Sequence, residues 1–285
     1  MFGFNKLNRV LRALRRNEIT VTAKKSEDNG VIYRSKFGGM PALPVDFEWP
    51  HFESENFEDE VANRPLSFLC QINLEEIHPY DKENLLPKSG LLLFFYEQDS
   101  QRWGFDAEDE GCSRVYYFED VDNLKLTDIP EDLREEYRVK EYSLSFSAND
   151  SYPSYEELEI HNDIDCNWDD YDDAVEKMGY DIESERHKLL GYADLIQGEM
   201  LTECERISRG LYCGDAESYR NTSQDIKEDI KKSASEWVLL FQMMSIQDDD
   251  FELMLGDCGN IYFYIRKEDL KQRNFNKVWL VLQCG

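Results

Sequence analysis

The feature that most restricts how this chain can fold is a pattern of strands that occurs twice. Pro65-Leu-Ser-Phe-Leu-Cys-Gln71-Ile72 alternates as a half-buried strand does, with Leu66, Phe68, Cys70 and Ile72 expected on one face and Gln71 on the other. Trp237-Val-Leu-Leu-Phe-Gln242-Met243 has the same phase: Trp237, Leu239, Phe241 and Met243 oppose Gln242. A glycine opens an aromatic strand 19 residues after Gln71 (Gly90 to Tyr96) and 17 after Gln242 (Gly259 to Ile265). A further strand follows each glycine, Val115–Phe118 and Val278–Leu282. A glycine-containing turn precedes each set, Phe37–Pro44 and Leu190–Gln197. Four matching elements in one order predict an internal duplication of an antiparallel strand and helix half.

A duplicated half with an exposed strand set buries it against its twin, so the expectation is a single α+β domain over 1–285 with pseudo-twofold symmetry. Its parts are an N-terminal helix and lead-in (1–30), a first half (31–119), an acidic connector (120–180) and a second half (181–285). Within the connector, residues 141–176 hold twelve acids and no Lys or Arg, a run that reads as a solvated segment. Residues 4–16 have helical period, with Leu7, Val10, Leu11 and Leu14 on one face and Lys6, Arg9, Arg12, Arg15 and Arg16 mostly on the other. Such a helix either lies on a membrane or docks on the body, and the narrow apolar stripe favours docking. Thr222-Ser-Gln-Asp225 reads as a capping box opening a helix with Ile226, Ile230, Ala234 and Trp237 on one side.

The charge is 32 − 60 = −28, which argues against nucleic acid or an anionic lipid surface as the partner. It is uneven: residues 1–25 carry +6, leaving −34 for the remainder. No apolar run reaches the ~20 residues that span a bilayer, and no secretory signal is visible, so a cytoplasmic location is expected. Seven cysteines are scattered singly, without a Cys-x-x-Cys pair, and predict reduced thiols rather than disulfides or zinc.

The candidate sites each have a plainer reading. Asp163, Asp165, Asn167 and Asp169 alternate like the ligands of an EF-hand loop. Trp168 stands where that loop needs Gly, however, and Ala174 where it needs Glu, so no metal is expected. Gln71 and Gln242 are either paired amides that orient a ligand or inter-strand hydrogen-bonding residues. Asp257, in Leu255–Gly259, is either presented to a ligand or bonds its own turn. The stretch from Phe37 to Pro50 either binds something or caps the core with Phe37, Leu43, Phe47 and Trp49. The four histidines form no metalloprotease spacing. No nucleophile elbow, Walker loop or dinucleotide glycine pattern occurs, and neither catalytic residues nor a cofactor are expected.

Ser35-Lys-Phe-Gly-Gly-Met-Pro-Ala-Leu-Pro44 with Trp49-Pro50, then residues 65–74 and 86–95, resemble the YwqG-like family. So do His187–Tyr192 with Ile196-Gln197, Leu239–Gln242, Gly256–Phe263 and Asp269-Leu270. This resemblance to a bacterial family of unknown function runs from about residue 31 to the end. It implies a duplicated α+β fold and supplies no site residues. Ala193-Asp194 depart from the family, where a proline is usual.

Two functions are then open. One is a non-enzymatic protein that binds a protein partner, a basic one such as a toxin. The other is a small-molecule-binding or metal-dependent enzyme with its site between the halves; the candidate binding residues are Trp49, Gln71, Gln197, Gln242 and Asp257. A well-formed apolar cleft with convergent polar groups favours the second; a broad apolar patch rimmed by charge favours the first.

Overall fold

Strands that are apolar on both faces need neighbours on both edges and cover above and below. In the computed structural model, which describes residues 2–25, 30–161, 166–181 and 184–285 and the side chains from Lys6 on, ten strands meet this need in one antiparallel sheet. They are β1 (Arg16–Lys25), β2 (Lys36–Phe37), β3 (Ser67–Asn73), β4 (Leu91–Tyr96), β5 (Ser113–Phe118), β6 (Tyr142–Ser151), β7 (His187–Leu190), β8 (Trp237–Met244), β9 (Asn260–Arg266) and β10 (Trp279–Gln283). Their order across the sheet is β10-β9-β8-β7-β1-β6-β2-β3-β4-β5.

The centre of this order is an exchange. Strand β1 comes first in the chain but pairs with β7, four residues long, whereas β6 leads into β7 yet pairs with β2. The two long strands pair with each other over their full length, from Arg16 opposite Ser151 to Lys25 opposite Tyr142. The acidic stretch read as a connector therefore supplies a central strand. Its polar residues, from Ser143 to Asp150, obscured the pattern of Leu144, Phe146 and Ala148.

The strands flanking this pair have matching registers. Lys36 lies opposite Gln71 and Lys188 opposite Gln242. In β3 a bulge falls between Phe68 and Cys70, and in β8 between Leu239 and Phe241. An extra residue in a strand turns every later side chain to the other face. Leu66 and Phe68 therefore pack on one side, with Phe95, while Cys70 and Ile72 join Phe94 on the other. Trp237 and Leu239 part from Phe241 and Met243 in the same way. The single-face expectation for both strands is thus corrected.

The faces carrying Phe94, Phe241 and Phe263 meet in the main core, with ring centroids 4.7 Å and 5.1 Å from Phe94. On the outer side of β3–β4, Leu43, Phe47 and Trp49 cover Phe95, so the proline-rich stretch packs on the sheet. Phe37, expected there too, instead lies in β2 with its ring edge-on to His187. On the outer side of β8–β10, helix Leu201–Ile207 and helix Gln224–Ala234 cover Trp237, Tyr262 and Tyr264. Ser223 stands at the N-cap of the latter without a side-chain capping bond, and the Thr222 hydroxyl donates to Ser218 O instead, so the expected capping box does not form. Helix Phe2–Leu14 docks Leu7 and Leu11 against Tyr171, Ala174 and Val175 of helix Trp168–Lys177. No described helix is long and apolar enough to cross a membrane.

A buried cation fastens each side of the exchanged pair. Lys188 Nζ lies 3.2 Å from Glu18 of β1 and 2.6 Å from Asp194, with Arg186 3.4 Å from Glu18; Lys188 and Glu18 are wholly buried. Lys36 Nζ lies 2.8 Å from Glu141, just before β6, and Arg34 pairs with the same carboxylate. Burial opposes the charge on Lys188, but Asp194, Tyr180 and Glu18 outweigh it and hold its pKa above the ordinary value. Breaking a buried pair leaves a charge without compensation, at roughly 3–5 kcal/mol. Urea denaturation should therefore show Lys188→Met less stable by about that amount, with part recovered in Lys188→Met/Glu18→Gln. A single variant as stable as the parent would show that the pair is dispensable.

Candidate functional site

The two short strands end differently, and the difference opens a cleft. After Lys36 the chain turns through Gly38 and Gly39, both with left-handed φ (+53° and +69°). There Gly38 N–H donates to Leu69 O and Gly39 N–H to Val139 O, each at 2.9 Å, zipping the flanking segments together. A Cβ on Gly38 would stand 2.1 Å from Val139 O, so the closure requires glycine.

At the same step after Lys188, Leu190 holds φ +60° and Gly191 +73°. A left-handed conformation is rare for a bulky residue and costs roughly 1–2 kcal/mol. Leu190 keeps it because its side chain is buried in the main core. β7 stops there, so Val238 and Leu239 at the start of β8 run beyond it, as do Arg16 and Asn17 at the start of β1.

The resulting cleft, about 640 Å³, is walled by residues 83–89 on one side and by Lys267–Lys271 with Arg273 on the other. Asn17 pins the first wall: its Oδ1 accepts from Lys82 N–H and its own N–H donates to Glu83 Oε1 (2.7 Å and 2.8 Å). Two more left-handed residues, Asn84 and Arg273, shape the two walls. Strain of this kind gathers where a fold is held for a purpose other than stability.

The floor is apolar, from Leu86, Leu190, Val238, Leu239 and Leu270. The rim is cationic: Arg16, Lys88, Lys267, Lys271 and Arg273 face a single acid, Glu83, already bonded to Asn17. Arg273 donates to Glu119 and Lys267 to Ser235 O. Among the described residues Arg16, Lys88 and Lys271 have no carboxylate within ion-pair reach, although the chain carries −28. Arg16 instead stacks on Tyr192, 4.1 Å from the ring centroid. With its apolar floor and excess of cations, the cleft can take a molecule with an apolar body and an anionic head.

None of the five residues singled out from sequence lines this cleft. Gln71 is fully buried; its amide donates to Ile32 O and Arg34 O and accepts from Ala42 N–H. Gln242 bonds Arg186 O and both the N–H and a carboxylate oxygen of Asp194. The two amides thus pin backbone to the sheet, and both N–H donors of each are spent. Trp49 donates its indole N–H to Leu66 O. Asp257 is exposed, and its carbonyl accepts from Gly285 N–H. Gln197 donates its backbone N–H to Gln283 and leaves its side chain in solvent.

The cleft's cations escaped a reading by motif because they come from three separate segments. One local signal existed: residues 266–277 carry five cations and two acids, +3 in an acidic chain. The EF-hand-like run lies partly outside the described residues, and Asn167 caps helix Trp168–Lys177. No group of three metal-ligating side chains occurs among the described residues.

Electrostatics near the cleft are set by burial. Glu157 is buried at the start of helix Tyr155–His161, and burial pushes its pKa up to about 7. Residues 35–284 match the model of a domain of unknown function, DUF1963, and the chain belongs to that family. No curated protein matches it.

A Cβ on Gly191 would lie 2.7 Å from Glu18 Cβ, whereas one on Gly210, also at φ +73°, meets nothing within 4 Å. Gly210→Ala should then cost only the conformational term, roughly 1–2 kcal/mol, and Gly191→Ala clearly more. Equal losses on urea denaturation would show that the Gly191 contact is soft. For Glu157, a folded pKa above the unfolded value favours the fold below about pH 4.5, an advantage lost as pH rises through about 7. Glu157→Gln should remove that decline, about 3 kcal/mol at 1.36 kcal/mol per unit, so that the variant gains on wild type between pH 5 and 8. Parallel stability–pH curves for the two proteins would contradict it.

Proposed function

We propose that this protein binds a small anionic amphiphile, a carboxylate or phosphate with an apolar chain, in the cleft beside Leu190. The observation that carries this reading is the gathering of Arg16, Lys88, Lys267, Lys271 and Arg273 over an apolar floor in a chain of net charge −28. Solubility alone gives no reason to concentrate the minority charge. A volume of about 640 Å³ falls in the range of ordinary ligand pockets, roughly 300–1,000 Å³. The lining holds no histidine or cysteine, and Glu83, its one acid, accepts from the Asn17 backbone N–H, which supports binding without chemistry. A basic protein partner is the weaker reading: the acidic surface suits it, but the one well-formed apolar cleft among the cavities described attracts the opposite charge.

The reading also rests on an internal duplication. The exchanged β1–β6 pair, the two Lys–Gln registers and the two bulges at one step all support duplicated halves about a pseudo-twofold axis. The cleft then lies where the halves diverged, at Gly38 and Leu190. The likeness to the YwqG-like family and a cytoplasmic setting fit such a binder.

Decanoate and decyl phosphate are suitable probes, with decanol as the uncharged control. Calorimetry should show either anion binding at least tenfold more tightly than decanol, and Lys88→Glu/Lys271→Glu should abolish the preference. Equal affinity for decanol, or unchanged binding by the double variant, would refute an anion-selective site.

A further inference from the structure

We infer that a second cavity, on the far side of the Leu190–Asp194 turn, is a cage for a small quaternary or tertiary ammonium ion. The cleft is lined by Leu190 and Gly191, whereas this cavity of about 310 Å³ begins at Ala193 and Asp194. Five aromatic rings line it: Tyr152, Tyr155, Trp168, Tyr171 and Tyr180.

Three of these rings form one corner. Tyr155 stands edge-on to Trp168 and Tyr171, with centroids 5.5 Å and 5.8 Å away, and Trp168 lies 5.7 Å from Tyr171. Tyr152 and Tyr180 form a second pair at 5.4 Å. The corner is held by hydrogen bonds: Tyr155 donates its hydroxyl to Cys166 O and Tyr171 to Pro153 O. Those two hydroxyl protons are committed, so neither ring donates to a ligand.

Aromatic faces carry partial negative charge and attract cations. Tyr180 already holds one, the Arg186 guanidinium 5.6 Å from its ring centroid. No Lys or Arg lines the cavity, while Glu156 and Asp172 do, both without an ion pair among the described residues. Asp194, the third acid, is neutralised by Lys188.

The choice of an alkylated ammonium follows from the rings, while Glu156 and Asp172 balance its charge. A primary ammonium is strongly hydrated, and ring faces do not replace the water that its three N–H donors give up. A quaternary ammonium donates nothing and is weakly hydrated, so it loses little on entering. The volume suits a head of this size with a short tail, and excludes a folded chain.

Trp168 is half exposed, at 48%, and reports occupancy by its fluorescence. Choline and tetramethylammonium are the probes, with 3,3-dimethylbutan-1-ol as the neutral isostere of choline. The full chain should bind choline at least tenfold more tightly than the isostere, by calorimetry and by Trp168 emission. Trp168→Ala should weaken choline at least tenfold, Trp168→Phe less than threefold, and Glu156→Gln/Asp172→Asn by three- to tenfold. Circular dichroism and melting temperature establish that each variant is folded. Binding of choline and the isostere with equal affinity, or the absence of choline binding at millimolar concentration in the folded wild type, would overturn the assignment. So would a Trp168→Ala variant that binds as the wild type does.

Discussion

The structure depends on a buried lysine in each short strand reaching a glutamate on, or at the start of, a long central strand. Lys188 to Glu18 and Lys36 to Glu141 each cross the boundary between a short strand and a long one. Lys188, Glu18 and Lys36 are buried, so their charges are tolerable only while the pair β1–β6 is in place. Hydrophobic burial drives the collapse, but it is indifferent to which of several apolar strands lie side by side. The ion pairs discriminate among those arrangements, since a wrong neighbour strands a charge. Gln71 and Gln242 extend the same logic outward, holding the turns after β2 and β7 through bonds to their backbones.

The cleft follows from how the second turn differs from the first. Gly38 allows neighbouring backbones to close to hydrogen-bonding distance, whereas Leu190 inserts a side chain at the same step and β7 ends. The gap exposes apolar floor, which a soluble protein ordinarily covers. Here it is ringed by cations drawn from β1, the loop after Pro79 and the segment following β9. A low-dielectric floor strengthens charge interactions at its mouth relative to open water, and surrounding acids sharpen the contrast. At physiological ionic strength the field of the acidic body is screened within about 8 Å, so the rim acts on a ligand at close range.

A single turn separates two cavities of opposite character. Leu190 and Gly191 face the cationic cleft, while Ala193 and Asp194 belong to the aromatic cavity. Arg16 on the cleft side stacks on Tyr192 between them, and Tyr192 donates its hydroxyl to Leu14 O of the N-terminal helix. The end of the helix is thereby tied to the turn between the cavities, while its apolar stripe is buried elsewhere.

The strand segments, the docking stripe of the N-terminal helix and the matching pattern around Gln71 and Gln242 were legible in the sequence. Local periodicity records which residues are shielded from water, and that is settled within a few residues. The similar Arg34-Ser-Lys36 and Arg186-His-Lys188 were equally present, though a charged pair inside an apolar strand reads as surface until its partner is known. Three things were decided only by the tertiary structure. The bulges in β3 and β8 reversed faces without a trace in sequence, because strands buried on both sides stay apolar through a change of phase. Strand β6 was hidden inside an acidic run because its exposed residues dominate the composition. The cleft itself joins residues 16, 88, 190, 238 and 271, and long-range pairing of strands, not any local pattern, brings those together.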